Sequence, residues 1–166
     1  MKHLWAPWRL AYVAGPKVEG CVFCEAAAAG DDRTTLILHR AELGFLILNR
    51  YPYNSGHLMV VPNRHVARLE GLSPEEAGAQ MALAGLAVRI LERAMAPQGF
   101  NIGMNLGRAA GAGIDEHLHM HVVPRWVGDT NFMPVLADVK ILPEHLEATY
   151  QRLQAALGSL ESGRPV

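Results

Sequence analysis

Three histidines occupy alternating positions near the middle of the chain: His117, His119 and His121. Because side chains alternate across a β-strand, this spacing predicts a strand with all three imidazoles on one face and apolar side chains on the other. The apolar face can join a core while the imidazole face lines a cleft. Pro124 follows closely and has no N–H group, so we expect central strand pairing to stop there.

The histidine row is open to two interpretations besides direct catalysis. Alternate Cα atoms of a strand lie about 6.8 Å apart, so His117 and His121 are separated by about 13 Å and all three can hardly bind one metal ion. Two of them could bind a metal together with a ligand from elsewhere, as in histidine-rich metal enzymes. A purely structural role is disfavoured, because buried imidazoles need hydrogen-bond partners and lose their charge.

Composition predicts a single globular domain over residues 1–166. Half of the chain (50%) is hydrophobic and 19% is charged, which is enough for a substantial core. The formal net charge of −1 gives no electrostatic basis for binding a nucleic-acid polymer. No apolar run approaches the roughly 20 residues of a membrane span, and the N-terminus lacks the apolar centre of a signal peptide. We therefore expect a cytoplasmic protein with no membrane partner.

The apolar pattern predicts an α+β fold: an antiparallel sheet of about five strands with a long helix and a C-terminal helix. A helical turn and then strands are expected at residues 25–29, 34–38, 43–48, 57–62 and 100–106, with the histidine strand fifth. Ser73, Pro74 and Glu76 predict the start of the long helix, as N-cap, first-turn proline and capping box. Pro97 and Gly99 are expected to end it.

The two ends of the chain have their own predictions. Residues 1–20 are predicted to form an irregular arm, whose Trp5, Trp8 and Tyr12 we expect to cover the core or a dimer partner rather than to stack on a base. Residues 143–157 are predicted to form the C-terminal helix, and residues 158–166 a loose tail.

A glycine-rich stretch, residues 107–113, precedes the histidine row. It is not a P-loop, because no Gly-Lys-Ser/Thr follows, and not a dinucleotide fingerprint, because a strand rather than a helix comes next. A plain flexible loop is one interpretation. The other is a phosphate site, in which N–H groups at Gly111 and Gly113 bind phosphate oxygens beside the amide of Asn105 and the cation of Arg108.

The His-x-His-x-His spacing, followed by apolar residues and Pro124-Arg125, resembles the active-site motif of the histidine-triad (HIT) family of nucleotidyl hydrolases and transferases. The segment from Leu48 to His57 is similar to that family's strand–turn–strand, and the matching segments span roughly residues 35–125. The resemblance implies cleavage of a nucleoside phosphate anhydride through a nucleotidyl-histidine intermediate. It also implies a homodimer.

The resemblance assigns catalytic roles to three histidines. His119 matches the nucleophile, His121 a phosphate ligand and His57 a residue that supports the active-site imidazoles. The chemistry agrees, because a neutral imidazole is a good nucleophile towards phosphorus and then a stable leaving group. Its other nitrogen needs a hydrogen bond to fix the tautomer, and we expect a backbone carbonyl to accept it. No catalytic magnesium motif is evident, so preorganised donors would stabilise the phosphoryl charge.

Substrate-binding roles follow from the same resemblance. Asn49 matches the position that holds the ribose hydroxyls, and Asn105 matches a phosphate-contacting amide. Many family members carry a glutamine or serine in the glycine loop, where this chain has Ala112 and Gly113. The acceptor of the second step is therefore left open.

The pair Cys21-Val22-Phe23-Cys24 has three interpretations. A thioredoxin-like redox pair expects a preceding strand and a βαβ context, and neither is visible. Two free thiols are an alternative, and a zinc site would need two further ligands. A branch of the HIT family that keeps this cysteine pair binds structural zinc through two histidines as well. Four residues match that pattern: Cys21, Cys24, His65 and His117.

The segment from Arg125 to Met133 resembles a bacterial diadenosine tetraphosphate phosphorylase branch of the family, which favours a dinucleoside polyphosphate substrate. Hydrolysis and phosphorolysis share their first half-reaction, so the sequence does not separate them. Three alternatives are a nucleoside phosphoramidase, a metal-dependent hydrolase that uses two triad histidines as ligands, and a nucleotide-binding protein without turnover.

Overall fold

A computed structural model describes residues 20–129 and 144–163. Its helices and strands follow in this order: α1 Val22–Ala28, α2 Asp32–Thr35, β1 Ile37–Ala41, β2 Gly44–Leu48, β3 Leu58–Pro62, α3 Pro74–Met95, β4 Gly99–Met104, β5 Met120–Arg125 and α4 Leu146–Glu161. The predicted α+β class, with a five-stranded antiparallel sheet, a long helix and a C-terminal helix, is confirmed. Of the predicted N-terminal arm, only Gly20 lies within the described residues.

The sheet has the order β1-β2-β3-β5-β4, and every neighbouring pair is antiparallel. The strand that ends the histidine row, β5, therefore lies inside the sheet between β3 and β4. That position holds β5 in place, because backbone hydrogen bonds fix a central strand on both sides.

The sheet has a core face and a histidine face. Helix α3 packs against β2, β3 and β5, and its buried Leu83 and Ile90 join Met120 and Val122 in the core. Because side chains alternate, His119 and His121 lie on the opposite side, which we call the histidine face. On β4, Gly103 lies opposite His121 and shares that face with Asn101, and Asn105 lies beside His121 beyond the end of the strand.

The first strand begins later than the apolar pattern predicts. The Asp31 carboxylate accepts hydrogen bonds from the backbone N–H groups of Arg33 (3.1 Å) and Thr34 (3.2 Å). This cap starts the short helix α2, and Leu36 then adopts a left-handed conformation (φ 67°) that ends it. The prediction of a strand over 34–38 is therefore wrong for its first residues, because a local cap outweighs strand propensity there.

The histidine strand is shorter than predicted, since the regular ladder begins at Met120. His117 and His119 precede it in an extended segment held by the Leu118 N–H, which donates to the carbonyl of Val66 (2.7 Å). The alternation still holds, because the Phe23 ring contacts both imidazoles of that segment, at 5.5 and 5.1 Å between centroids.

The expectation that pairing stops at Pro124 is correct on one side of the strand and wrong on the other. Pairing of β5 with β3 ends at Val122, whereas pairing with β4 continues through Pro124 to Arg125. The N–H and C=O of one strand residue point to the same neighbour. The Pro124 carbonyl accepts from the side-chain amide of Asn54 (3.0 Å), so its missing N–H belongs to the β3 side and the β4 ladder is unaffected.

The start of the long helix is as predicted. Ser73 Oγ accepts from the Glu76 N–H (3.2 Å), and Glu76 returns a hydrogen bond to the Ser73 N–H (2.8 Å). The Arg64 guanidinium beside it lowers the pKa of Glu76 to about 2. This contact fixes the loop that carries His65 against the helix. No described helix combines the length and hydropathy that crossing a lipid bilayer requires.

The C-terminal helix α4 covers the β1 edge of the sheet. The Tyr150 hydroxyl donates to the carbonyl of Ile37, and the Gln154 amide donates to the carbonyl of Leu38, each at 2.9 Å. The helix runs to Glu161, so the predicted loose tail from residue 158 is wrong over residues 158–161. The extension follows from packing, because Leu160 is partly buried against the core.

Gly56 lies in the turn between β2 and β3 and should tolerate no side chain. Its φ of +79° is left-handed, and a Cβ there would lie 2.7 Å from the Met95 sulfur and 2.9 Å from Leu91. Gly30 is a matched control, because its φ is also left-handed (+65°) but a Cβ would meet nothing within 4 Å.

We expect Gly30→Ala to cost about 1–2 kcal/mol of backbone strain and Gly56→Ala to cost about 1–3 kcal/mol more through overpacking. Urea unfolding of both variants measures the difference. Equal losses of stability would show that the turn is not packed as described.

Candidate active site and metal centre

Backbone groups fix the tautomer of His57. The N–H of Tyr53 donates to His57 Nδ1 (3.0 Å), and a backbone amide can only donate. The ring proton of His57 must therefore be on Nε2, which lies 2.9 Å from His121 Nδ1. His57 is fully buried, so it supports His121 without contacting solvent.

His121 consequently presents a donor to the cleft. Its Nδ1 accepts from His57, so in the neutral ring the proton is on Nε2, and Nε2 lies 3.5 Å from the side-chain amide of Asn105. Burial, and then the neighbouring His119, lower the pKa of His121 to about 4. The ring is thus neutral at pH 7 and offers an N–H group to an anion without being a cation.

His119 has the opposite polarity. Its Nδ1 donates to the main-chain carbonyl of His117 (2.9 Å), which leaves the Nε2 lone pair free to attack. Burial lowers the pKa of His119 below its ordinary value, so the neutral, nucleophilic form is the stable one. The His119 and His121 rings lie 4.9 Å apart in an edge-on arrangement. A ring with a free lone pair and a ring with an N–H group are therefore neighbours.

His117 belongs to a second cluster. Its Nε2 donates to the carbonyl of Pro62 (2.9 Å), so its Nδ1 carries a lone pair. That atom lies 3.1 Å from Cys21 Sγ and 3.6 Å from Cys24 Sγ. Cys24 Sγ in turn lies 3.4 Å from His65 Nδ1. The four side chains predicted to bind metal are brought together, with their ligand atoms all within 4.8 Å of one another.

These distances fit zinc. A tetrahedral ion with Zn–S bonds of about 2.3 Å and Zn–N bonds of about 2.0–2.1 Å places neighbouring ligand atoms about 3.3–3.8 Å apart. Burial and the adjacent Cys21 raise the pKa of the Cys24 thiol, a cost that a bound cation offsets by stabilising the thiolate. Among the described residues this is the one cluster of three or more His, Cys, Asp or Glu side chains able to hold a metal. The alternative of a metal-dependent hydrolase requires a cluster that contains two triad histidines, and this cluster contains only one, His117.

The two predicted substrate amides lie on either side of the histidines. Asn49 follows β2, and its Oδ1 accepts from the Tyr51 N–H (2.9 Å) while its Nδ2 lies 3.3 Å from His57 Nδ1. Asn105 lies beyond the end of β4, beside His121. Their roles towards ribose and phosphate stay predictions.

The glycine loop is partly closed on itself. The N–H of Gly111 donates to the carbonyl of Arg108 (2.9 Å), so that amide is engaged within the loop. The N–H of Gly113 donates to no group in the part of the chain that the structure describes, which makes it the better candidate for a phosphate contact. Arg108 pairs with Asp115 at 2.8 Å, so the predicted cation is neutralised by a neighbour.

A network that sequence reasoning missed holds the turn that carries His57. Asn54 is buried, and its side-chain amide donates to the Asp129 carboxylate (2.8 Å). Asp129 also binds Arg125 through both of its oxygens, at 2.6 and 2.7 Å. The Asn54 carbonyl accepts from the His57 N–H (3.1 Å). Only a local signal was available, the Pro-Tyr-Asn-Ser-Gly turn composition, and it does not reveal a partner so distant in the chain.

Comparison with known proteins agrees with this geometry. Residues 32–127, more than half of the chain, match the HIT domain. The chain belongs to the HIT family. It is 40% identical over 161 residues to an AP-4-A phosphorylase of Mycobacterium tuberculosis, covering 92% of this chain and 83% of that protein. An adenosine 5′-monophosphoramidase of Schizosaccharomyces pombe is 26% identical over 82% of this chain and 98% of its own length.

A solved relative bears on the metal cluster. The crystal structure of a Zn-bound histidine triad family protein from Mycobacterium smegmatis superposes with a TM-score of 0.71 at 29% identity, covering 87% of this chain and 98% of that one. The predicted family and the predicted four-residue cluster are therefore confirmed. Residues 130–133 of the segment that resembles the phosphorylase branch lie outside the described residues.

We expect protein purified without added metal to contain close to one zinc per chain by elemental analysis. Cys24→Ser and His65→Ala should lower both the zinc content and the melting temperature, because metal binding in such a site contributes to folding.

His39→Ala is the matched control, since His39 lies half-buried on β1 away from the cluster and its loss should leave zinc content unchanged. Metal-free protein under reducing conditions with an unaltered melting temperature would contradict the zinc assignment.

Proposed function

We propose that this protein cleaves diadenosine tetraphosphate by phosphorolysis, with His119 as the nucleophile that carries the adenylyl group between two half-reactions. The observation that carries the proposal is the polarity of the two adjacent rings. His119 has a free Nε2 lone pair because its Nδ1 is bound to a carbonyl, and His121 has a donor because its Nδ1 is bound to His57. The relative named AP-4-A phosphorylase supports the choice of substrate and acceptor.

In the first half-reaction, His119 Nε2 attacks the phosphorus next to one adenosine. The N–P bond forms while the bond to the bridging oxygen breaks, with its electron pair on that oxygen, and ATP leaves. Negative charge grows on the phosphoryl oxygens, where His121, Asn105 and the N–H of Gly113 are proposed to donate. Donors that are already oriented stabilise such charge without reorganisation.

In the second half-reaction, an oxygen of inorganic phosphate attacks the same phosphorus. The N–P bond breaks, ADP forms and the neutral imidazole is restored. Neither step requires a metal ligand on the reacting atoms. Zinc, when bound by the four-residue cluster, would stabilise the fold and hold His117 in place.

We further propose that the chain forms one domain and assembles as a homodimer. Helix α4 contacts both α3 and β1, so the described C-terminal part belongs to the same body, and one cooperative thermal transition would support this. Among the described strands β4 is at one edge of the sheet, with the exposed side chains of Ile102 on it and Leu106 just beyond it. An edge strand of this kind pairs readily with another chain. Light scattering should give a dimer mass, and Ile102→Lys should lower it towards the monomer. A monomeric mass for the wild type would contradict the proposed homodimer.

The reaction is tested by incubating the protein with diadenosine tetraphosphate and inorganic phosphate. We expect ATP and ADP in equal amounts, and an acid-labile adenylyl group on a peptide containing His119 when turnover is quenched. His119→Asn should retain nucleotide binding and lose at least about a thousandfold in turnover, as nucleophile substitutions commonly do.

His39→Asn, the same substitution on β1 outside the site, should leave turnover unchanged. ATP plus AMP as products would indicate asymmetric hydrolysis instead of phosphorolysis. Turnover of His119→Asn near the wild-type rate would mean that the reaction does not pass through this histidine.

A further inference from the structure

A cavity of about 240 Å³ lies on the histidine face beside His121. Strand register explains its position, because Gly103 lies opposite His121 and Asn101 lies opposite Val123. Tyr53, from the turn after β2, forms another wall. His119 is not one of the residues that line the cavity, which extends from His121 over Asn101, Gly103 and Asn105.

Apart from the Tyr53 wall, the sheet order places the lining of this cavity away from the proposed ribose site. Asn49 follows β2, the cavity lies over β4, and β3 and β5 with the buried histidines lie between them. A substrate with a nucleoside at each end of a phosphate chain could therefore lie across the sheet. One nucleoside would lie towards Asn49, the reacting phosphorus at His119 and His121, and the remainder over β4.

The in-line geometry of phosphoryl transfer agrees with this arrangement. In phosphoryl transfer the attacking and leaving atoms lie roughly in line on opposite sides of phosphorus. The leaving group therefore departs on the side of the phosphorus away from His119, and the cavity beside His121, which His119 does not line, can receive it.

The walls of the cavity suit part of a nucleotide. The Tyr53 side chain is 50% exposed, and its ring lies 5.5 Å from the His121 ring, so an aromatic face is available for stacking. Asn101 Oδ1 accepts from Arg125 (2.6 Å), which directs the amide's NH₂ group elsewhere, and that group donates to no other described residue. Gly103 leaves open space, since a Cβ there would meet nothing within 4 Å.

We propose that this cavity binds the leaving nucleotide of a dinucleoside polyphosphate, with Asn101 donating to it and Tyr53 stacking on it. The inference rests on the proposed function and names its second subsite. Pockets that enclose a whole drug-sized ligand measure roughly 300–1,000 Å³. A space of about 240 Å³ therefore accommodates one portion of a larger substrate.

The decisive variant fills the cavity. Gly103→Val places a branched side chain in the open space, on a strand whose backbone accepts it because φ is not left-handed. Gly99→Val is the matched control: Gly99 lies on the same strand and face, has the same freedom from contacts and does not line the cavity. Each variant is assayed with diadenosine tetraphosphate and with adenosine 5′-phosphoramidate, whose leaving group is ammonia.

Gly103→Val should raise KM for diadenosine tetraphosphate at least about tenfold while both kinetic constants for the phosphoramidate stay within about twofold of wild type. Gly99→Val should match wild type on both substrates. Asn101→Ala, which removes a donor without adding bulk, should shift KM in the same substrate-selective way. Light scattering verifies that the assembly state of each variant is that of the wild type.

Equal losses on both substrates, or equal effects of the two valine variants, would overturn the subsite. Failure of the proposed function gives a different result, because the wild type itself would then release ATP plus AMP, or no product, from diadenosine tetraphosphate. Retained Gly103→Val activity on that substrate, in an otherwise active enzyme, would overturn the subsite alone.

Discussion

The two centres of this protein depend on one residue, His117. Its imidazole lies between the carbonyl of Pro62 and the sulfurs of Cys21 and Cys24, while its main-chain carbonyl accepts the Nδ1 proton of His119. The side chain therefore belongs to the metal centre, and the backbone supports His119, the proposed nucleophile. Because the ring is almost fully buried, loss of a partner leaves a polar group unsatisfied at a cost of about 1–3 kcal/mol. A metal that holds the ring also holds the carbonyl that sets the nucleophile's tautomer.

Backbone groups, rather than acidic side chains, set the protonation pattern of the histidines. The Tyr53 N–H, the His117 carbonyl and the Pro62 carbonyl each bind one ring nitrogen. A carboxylate partner would favour the imidazolium form and weaken the nucleophile. Neutral partners fix the orientation and the tautomer while burial keeps the rings uncharged.

The sequence predicts those features that are local or periodic. Alternating histidines indicate one shared face whatever the extent of the ladder, and Ser73 with Glu76 indicates a helix start, because each signal lies within a few residues. The zinc ligands are predicted only through family resemblance, since His117 lies 96 residues from Cys21 along the chain. Contacts with no local signature are missed, among them the bond from Asn54 to Asp129, 75 residues away.

Local chemistry also explains the errors. The Asp31 cap competes with the apolar pattern that predicts a strand at residue 34. At Pro124 the missing N–H affects one neighbour only, and which neighbour depends on strand order, which the sequence does not show. The roles of Asn49, Asn105 and Gly113 stay predictions, because they concern a ligand and not the chain's own contacts.

The distribution of charge around the cleft limits how tightly the site can bind the phosphate groups of a nucleotide. Two arginines of the neighbouring segments are paired with carboxylates, Arg108 with Asp115 and Arg125 with Asp129. The groups proposed to meet phosphate are neutral donors: the N–H of His121, the amides of Asn105 and Asn101, and the N–H of Gly113. These donors carry no net charge and add no ion-pair attraction to their hydrogen bonds with phosphate oxygens, so they hold a polyphosphate less tightly than cationic side chains would. Their contribution grows as charge develops on the reacting phosphoryl group, and none of the described residues that line the cavity beside His121 is a lysine or an arginine.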